Sequence, residues 1–325
     1  MGAPEAGGAF ESYSFKELGG HKRQVTWLAW NRSGRKLASA SRDRTICIWH
    51  VAPSGQAKAD KPQVTLHGHS GHLQAVVWDP SHEEHVASAA DDRTVRLWDA
   101  RSAKPGQEIA CASVPEWLDW NVARPELAVL DDAGLLTFSD VRKSGKPLSS
   151  RKTDCESHPG QIAFSRNGLL FFQCVGNGVE VYSYPALESV ATLEGHTAPA
   201  LSLALDQSGR WLVSGGMDGV VAAWDLDAAA CLRTFTALDQ PVVAVSVSGD
   251  ARHVAYGGQQ EMVPIDAFEP GAKPHLLQLP GRQPGTECLA WNPVHPVLAL
   301  TGVEVRAASR SADAGTLLIY APFAS

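Results

Sequence analysis

The sequence has no excess of positive charge. Its 325 residues include 28 Lys and Arg against 35 Asp and Glu, which gives a formal net charge of −7. A protein that binds nucleic acid on its own needs a basic surface to neutralise phosphates. The acidic balance argues against such a protein, and we expect any contact with RNA to be indirect or weak.

Long apolar runs are also missing. No stretch approaches the roughly 20 apolar residues of a membrane-spanning helix, and the N-terminal segment MGAPEAGGAFESYSF has no apolar region typical of a secretory signal. The six cysteines form no Cys-x-x-Cys pair, and several lie in strand-like runs, as Cys47 and Cys288 do. Such cysteines are usually small buried apolar residues in a reducing compartment. We expect an intracellular protein without membrane contact.

One pattern of residues occurs three times. HVASAADDRTVRLWD (85–99) matches KLASASRDRTICIWH (36–50) and WLVSGGMDGVVAAWD (211–225). Two β-rich runs around an Asp-centred turn predict a hairpin. In each copy a serine precedes the turn aspartate, a tryptophan follows it and a Gly-His pair lies upstream. The three sets are His21, Ser39, Asp43 and Trp49; His69, Ser88, Asp92 and Trp98; and His196, Ser214, Asp218 and Trp224.

Seven candidate inner strands follow one another at intervals of 41 to 48 residues. This period, together with the Gly-His and Trp-Asp pairs, resembles the WD40 repeat family, whose unit is a four-stranded propeller blade. The inner strands are predicted to end near Trp30, Trp78, Trp120, Phe164, Leu205, Val247 and Trp291.

The resemblance implies an all-β fold, a single closed seven-bladed β-propeller. An isolated strand-like run at Tyr13–Leu18 resembles the N-terminal strand that completes the last blade and closes the ring. We therefore predict a flexible N-terminus over residues 1–12 and the propeller over residues 13–325.

Ser, His and Asp are also the residues of a hydrolytic triad. A triad occurs once per active site, whereas this set occurs three times and always with tryptophan. The family resemblance implies that Trp donates to the Ser hydroxyl, which contacts His, which contacts Asp. Such a chain satisfies polar groups that would otherwise be buried without partners. We expect structural tetrads, no enzyme activity and no small-molecule substrate.

The run HGHSGH offers a candidate metal site, because His67, His69 and His72 are close in sequence. His69 already belongs to a tetrad, however, and no cysteine is near. The glycine-rich run SGGMDG at 214–219 is a repeat hairpin and not a phosphate-binding loop. We expect neither a metal nor a cofactor.

Several arginines and two tryptophans define a candidate partner-binding face. Trp27 and Trp117 each lie three residues before the tryptophan that ends an inner strand, on the side of the Gly-His loops and Asp turns. Two interpretations stay open, packing between blades or anchoring of a partner, since both residue types are enriched at binding hot spots. The long hairpin 302–314 of the seventh repeat is expected on the same side. The face comprises Trp27, Arg42, Arg44, Arg93, Trp117, Arg306 and Arg310.

Four segments outside the general repeat pattern indicate one group within the WD40 family. They are GNGVEVYSYPAL (176–187), LDQPV (238–242), AWNPVHPVLAL (290–300) and SRSADAGTLLIY (309–320). They resemble the WD-repeat subunits of THO complexes. This implies a nuclear, non-enzymatic scaffold that binds other THO/TREX subunits and couples transcription to mRNA processing and export. Two alternatives stay open: a cullin ubiquitin ligase receptor, because Trp98 to Arg101 matches the WDxR motif, and an adaptor of another complex.

Overall fold

A computed structural model of the protein describes residue 10 and residues 12–143, 146–153, 160–269, 271–280, 285–302 and 317–322. Within these residues, 28 strands form seven antiparallel four-stranded sheets. Contacts between the first strands of neighbouring sheets join the sheets into a ring. This confirms the predicted seven-bladed β-propeller. The described residues contain no helix long and apolar enough to cross a membrane.

Six blades are built from four consecutive strands each, with the first strand on the inside of the ring. Blade 1 contains β2 (Val25–Trp30), β3 (Lys36–Ser41), β4 (Thr45–His50) and β5 (Val64–His67); blade 2 contains β6 (Leu73–Trp78), β7 (His85–Ala90), β8 (Thr94–Asp99) and β9 (Pro105–Ala110); blade 3 contains β10 (Pro115–Trp120), β11 (Glu126–Asp131), β12 (Leu135–Asp140) and β13 (Pro147–Lys152).

The next three blades have the same plan. Blade 4 contains β14 (Ile162–Phe164), β15 (Leu170–Val175), β16 (Gly178–Ser183) and β17 (Ser189–Glu194); blade 5 contains β18 (Ala200–Leu205), β19 (Trp211–Gly216), β20 (Val221–Asp225) and β21 (Ala230–Phe235); blade 6 contains β22 (Ala244–Val247), β23 (His253–Gly257), β24 (Met262–Ala267) and β25 (His275–Gln278).

Blade 7 is made from both parts of the chain. It contains β26 (Thr286–Trp291), β27 (Leu298–Gly302), β28 (Leu317–Ala321) and, at its outer edge, β1 (Ser14–Leu18). The pairing runs antiparallel from Ser14 opposite Ala321 to Leu18 opposite Leu317. The predicted closure by an N-terminal strand is confirmed, and it removes two sheet edges that would otherwise expose unpaired backbone groups.

Phe10 lies within the segment 1–12 that we predicted to be flexible. The residue is 5% exposed, and its ring packs against His275 and Trp291, with the ring centroids 5.1 Å and 6.5 Å away. The packed part of the chain therefore begins before residue 13. The prediction was based on the small and polar residues of the segment. It did not consider Phe10, the aromatic residue that packs beside blade 7.

The core of the molecule lies between the blades. The middle strands are buried on both faces, as shown by Leu37 and Ala38, consecutive residues of β3 whose side chains point to opposite faces and which are both 0% exposed. The outer strand β13 is polar and exposed along most of its length. Each blade therefore depends on its neighbours for burial. Because the strands of a blade are antiparallel, the polar Gly-His loops and the Asp turns lie at the same end of the strands.

Candidate interaction face and its buried networks

A chain of hydrogen bonds joins four side chains in blade 2. Trp98 Nε1 donates to Ser88 Oγ over 2.8 Å, and Ser88 Oγ lies 2.8 Å from His69 Nε2. His69 Nδ1 lies 2.9 Å from Asp92 Oδ2. The serine is 0% exposed and the tryptophan 2%. With Nδ1 protonated, every donor in this chain has an acceptor.

Blades 1 and 5 contain the same chain. In blade 1 the Trp–Ser, Ser–His and His–Asp distances are 2.9, 2.7 and 3.0 Å, and in blade 5 they are 2.9, 2.8 and 3.1 Å. The structure thus brings together all twelve residues of the three sets. They are His21, Ser39, Asp43 and Trp49, the blade 2 set, and His196, Ser214, Asp218 and Trp224.

The aspartates of these networks are charged. Burial raises the pKa of the Asp92 carboxyl, but hydrogen bonds from Thr94, His69 and the Ser70 N–H outweigh it and lower the pKa to about 2. The pKa values of Asp43 and Asp218 are lowered as well. Since the serine is enclosed and already bonded to tryptophan, the arrangement leaves no accessible nucleophile and is suited to holding loops together.

The threonine donors were not anticipated from the sequence. Thr45 Oγ1 donates to Asp43 over 2.6 Å, and Thr94 Oγ1 donates to Asp92 over 2.7 Å. The signal was present as an Asp-x-Thr spacing in both turns, in which the side chain two residues on can bond back to the aspartate.

Replacing Asp92 with alanine should lower the free energy of unfolding by about 1–3 kcal/mol, because His69 then stays buried without its acceptor. Asp132 is the control in blade 3. The strand register of that blade places Val129 and Ser139 at the positions of Ser88 and Trp98, and Asp132, which is exposed, accepts the Val114 N–H. Asp132→Ala should therefore cost less, and equal losses of the two variants in urea titrations would contradict this account.

Blades 3 and 4 replace the polar chain with aromatic packing. The Phe138 ring lies 5.3 Å from Phe171 and 5.0 Å from Tyr184 between ring centroids. In blade 6, Tyr256 donates to Asp266 over 2.6 Å. These blades keep the strand spacing of the repeat without its tetrad.

Three arginines of the candidate face are exposed beside the networks. Arg44 and Arg93 adopt left-handed backbone conformations, with φ of 70° and 61°. Glycine occupies the corresponding turn positions in blades 3 and 5, as Gly134 and Gly219, and it adopts this conformation with less strain. Arg42 is adjacent and exposed. The turns of blades 1 and 2 thus present cations at positions where the backbone favours glycine.

The loops of these two blades also contact each other. Arg44 donates to the Ser70 carbonyl over 3.3 Å, and His72 Nδ1 bonds the Arg42 carbonyl. His67 ends β5 and is exposed, while His69 lies in its tetrad. The three histidines of HGHSGH therefore do not converge on one point.

Trp27 and Trp117 contact each other. Their ring centroids are 5.1 Å apart at an interplanar angle of 77°. The residues lie on the inner strands of blades 1 and 3, so the contact spans the inner strand of blade 2. Both side chains are half-buried. The contact lies between blades, and the sequence pattern did not indicate which two residues would meet. Arg306, Arg310 and most of the 302–314 hairpin lie outside the described residues.

The WDxR motif forms a local ion pair. Arg101 donates to Asp99 through both Nε and Nη2, at 3.0 and 2.7 Å. Asp140 and Arg142 make the same pair in blade 3, which lacks the tryptophan. In both blades the third strand ends at this aspartate, so the ion pair is a local contact of the turn that follows.

The ring of blades and its Trp–Ser–His–Asp networks define a WD40 propeller. Residues 12–50, 60–99 and 187–225 match the family model "WD domain, G-beta repeat", and these stretches contain the three complete networks.

Other proteins are similar to this chain over most of its length. THO complex subunit 3 of Arabidopsis thaliana is 37% identical over 294 residues, which cover 90% of this chain and 91% of that protein. WD repeat-containing protein AAC3 of Dictyostelium discoideum is 25% identical over 89% of this chain and 64% of its own length. Eukaryotic translation initiation factor 3 subunit I of Anopheles gambiae is 23% identical over 76% of this chain and 77% of its own. The chain belongs to the family of THO complex subunit 3.

Proposed function

We propose that the protein is a non-enzymatic scaffold subunit of a nuclear THO/TREX complex, in which it supports mRNA processing and export by binding other subunits. The observation that carries this proposal is the 37% identity to THO complex subunit 3 across 90% of the chain. This identity extends beyond the three stretches that match the general WD40 repeat, and so includes blades whose networks have been replaced.

The chemistry of the ring supports a binding role. The serines and histidines that suggest hydrolysis are buried and occupied with one another. The formal net charge of −7 favours contacts with proteins over direct contacts with RNA. The exposed arginines on the turns of blades 1 and 2 form a local basic surface on this acidic protein, suited to an acidic or helical segment of a larger THO subunit.

Affinity purification of the full chain from nuclear extract, followed by mass spectrometry, tests the proposal. We expect recovery of other THO subunits, and the same recovery with an Arg101→Ala variant, because Arg101 lies in the WDxR turn and not on the candidate face. Recovery of a cullin adaptor that depends on Arg101, without THO subunits, would contradict the proposal and favour the ubiquitin ligase receptor. Recovery of an unrelated complex without THO subunits would also contradict the proposal and would indicate that the protein is an adaptor of that complex.

A further inference from the structure

The loop between β6 and β7 places two imidazoles against one carboxylate. His82 Nδ1 lies 3.0 Å from Asp79 Oδ2, and His85 Nδ1 lies 3.7 Å from the same oxygen. The two imidazole rings are stacked, with centroids 4.8 Å apart at 26°. In the described part of the chain, this is the one group of three such side chains whose ligand atoms converge within 4.8 Å.

The spacing of these atoms fits a metal ion. Zinc bonds to imidazole nitrogen and carboxylate oxygen are about 2.0–2.2 Å long, so two ligand atoms of a tetrahedral site lie about 3.3 Å apart. The distances from the Asp79 oxygen to the two imidazole nitrogens, 3.0 and 3.7 Å, lie on either side of that value. All three ligand atoms lie within 4.8 Å of one another.

The loop is held in place by its own backbone. The Asp79 N–H donates to the His85 carbonyl over 2.9 Å, and the His85 N–H donates to the His82 carbonyl over 3.1 Å. Asp79 Oδ1 accepts the N–H groups of Ser81 and His82. These bonds leave Oδ2 facing the two imidazoles and fix the orientation of the carboxylate, as outer contacts do around metal ligands.

The corresponding loops of other blades show that the carboxylate has no necessary role in the turn. Asn121 and Asn292 accept the corresponding backbone N–H groups, two and three residues on, with amide oxygens. Asp206 uses Oδ2 to bond Ser208. Blade 2 alone among these combines an acid with two histidines, and both histidines are solvent-exposed, so an ion can reach the site.

We propose that Asp79, His82 and His85 form a binding site for a divalent late transition metal ion such as Zn²⁺. The site supplies two imidazole nitrogens and one carboxylate oxygen, a donor set suited to such ions, and leaves a fourth position for water or a partner's side chain. It lies at the end of the strands opposite the Gly-His loops. This inference departs from the sequence expectation of no metal, which was argued on His67, His69 and His72.

Titration of the untagged, metal-free full chain with Zn²⁺ by isothermal calorimetry tests the site. We expect one ion per chain, and at least about tenfold weaker binding for His82→Ala and for His85→Ala, since even outer contacts of a metal site are worth 10–100-fold. Asp79→Asn should also weaken binding while keeping the turn, as asparagine does in blades 3 and 7.

His295→Ala is the matched control. His295 follows Asn292 by three residues, as His82 follows Asp79, and its loop has no second histidine. Binding by this variant should be unchanged. Absence of saturable binding, or unchanged affinity in the folded His82→Ala and His85→Ala variants, would overturn the proposal. Loss of binding in a folded His67→Ala variant alone would move the site to the other histidine cluster and would also overturn it.

Discussion

Replacing Phe138 with alanine is expected to lower the free energy of unfolding by about 3–5 kcal/mol, the range for truncating a buried aromatic side chain. Phe138 is 0% exposed and its ring contacts Phe164, Phe171 and Tyr184, which belong to blade 4 or to the turn after its third strand. The cavity would open where blade 3 meets blade 4. Because these blades lack the polar tetrad, no hydrogen-bonded chain remains there to compensate.

Phe268 provides a control for this substitution. It is half-buried and packs against Trp211 and Phe235, with centroids 5.5 and 6.0 Å away. Phe268→Ala removes the same atoms from a site that water already reaches, so its cost should be smaller. Guanidinium titrations of both variants measure the difference. A loss at Phe268 equal to or larger than that at Phe138 would show that the aromatic cluster does not hold the two blades together.

Reversing two arginines of the candidate face should weaken the binding of a THO partner at least about thirtyfold. Loss of a central anchor typically costs about 2 kcal/mol or more, and 1.4 kcal/mol is a factor of ten in affinity. Arg42→Glu together with Arg93→Glu places negative charge where we propose that an acidic or helical segment docks. Both side chains are exposed, so the variant should fold as the parent does.

Lys58→Glu with Lys61→Glu is the control for the charge reversal. These lysines are also exposed, but they lie between β4 and β5, at the opposite end of the strands from the Asp turns. Co-purification should survive this change. If the lysine variant loses the partner while the folded arginine variant keeps it, the docking surface is on the other side of the ring.

The arrangement of strands could be predicted closely from the sequence. The inner strands end at Trp30, Trp78, Trp120, Phe164, Leu205, Val247 and Trp291, as the repeat spacing indicated. This worked because a blade of fixed size imposes its period even where individual residues change. Tyr182 shows the principle, since it pairs with Phe171 in blade 4 at the position where Trp98 pairs with Val86 in blade 2.

Contacts between different blades could not be predicted in this way. The pairing of Trp27 with Trp117 and the packing of Phe10 depend on the curvature of the ring, which brings together residues far apart in the repeat pattern. The group at Asp79 was missed for another reason. His82 and His85 follow Asp79 by three and six residues. The backbone conformation of the loop brings both imidazoles towards one carboxylate oxygen, and the sequence spacing alone does not indicate this.

The pairing of β1 with β28 also has a consequence for synthesis. Of the strands described here, β1 is synthesised first and its hydrogen-bonding partner β28 last, so blade 7 cannot close until Ala321 has left the ribosome. Contacts between residues so distant in sequence slow folding, and unpaired strand edges invite association with other chains. A product truncated before Leu317 would carry two open edges, on β1 and β27, which would mark it for chaperones or proteases instead of assembly.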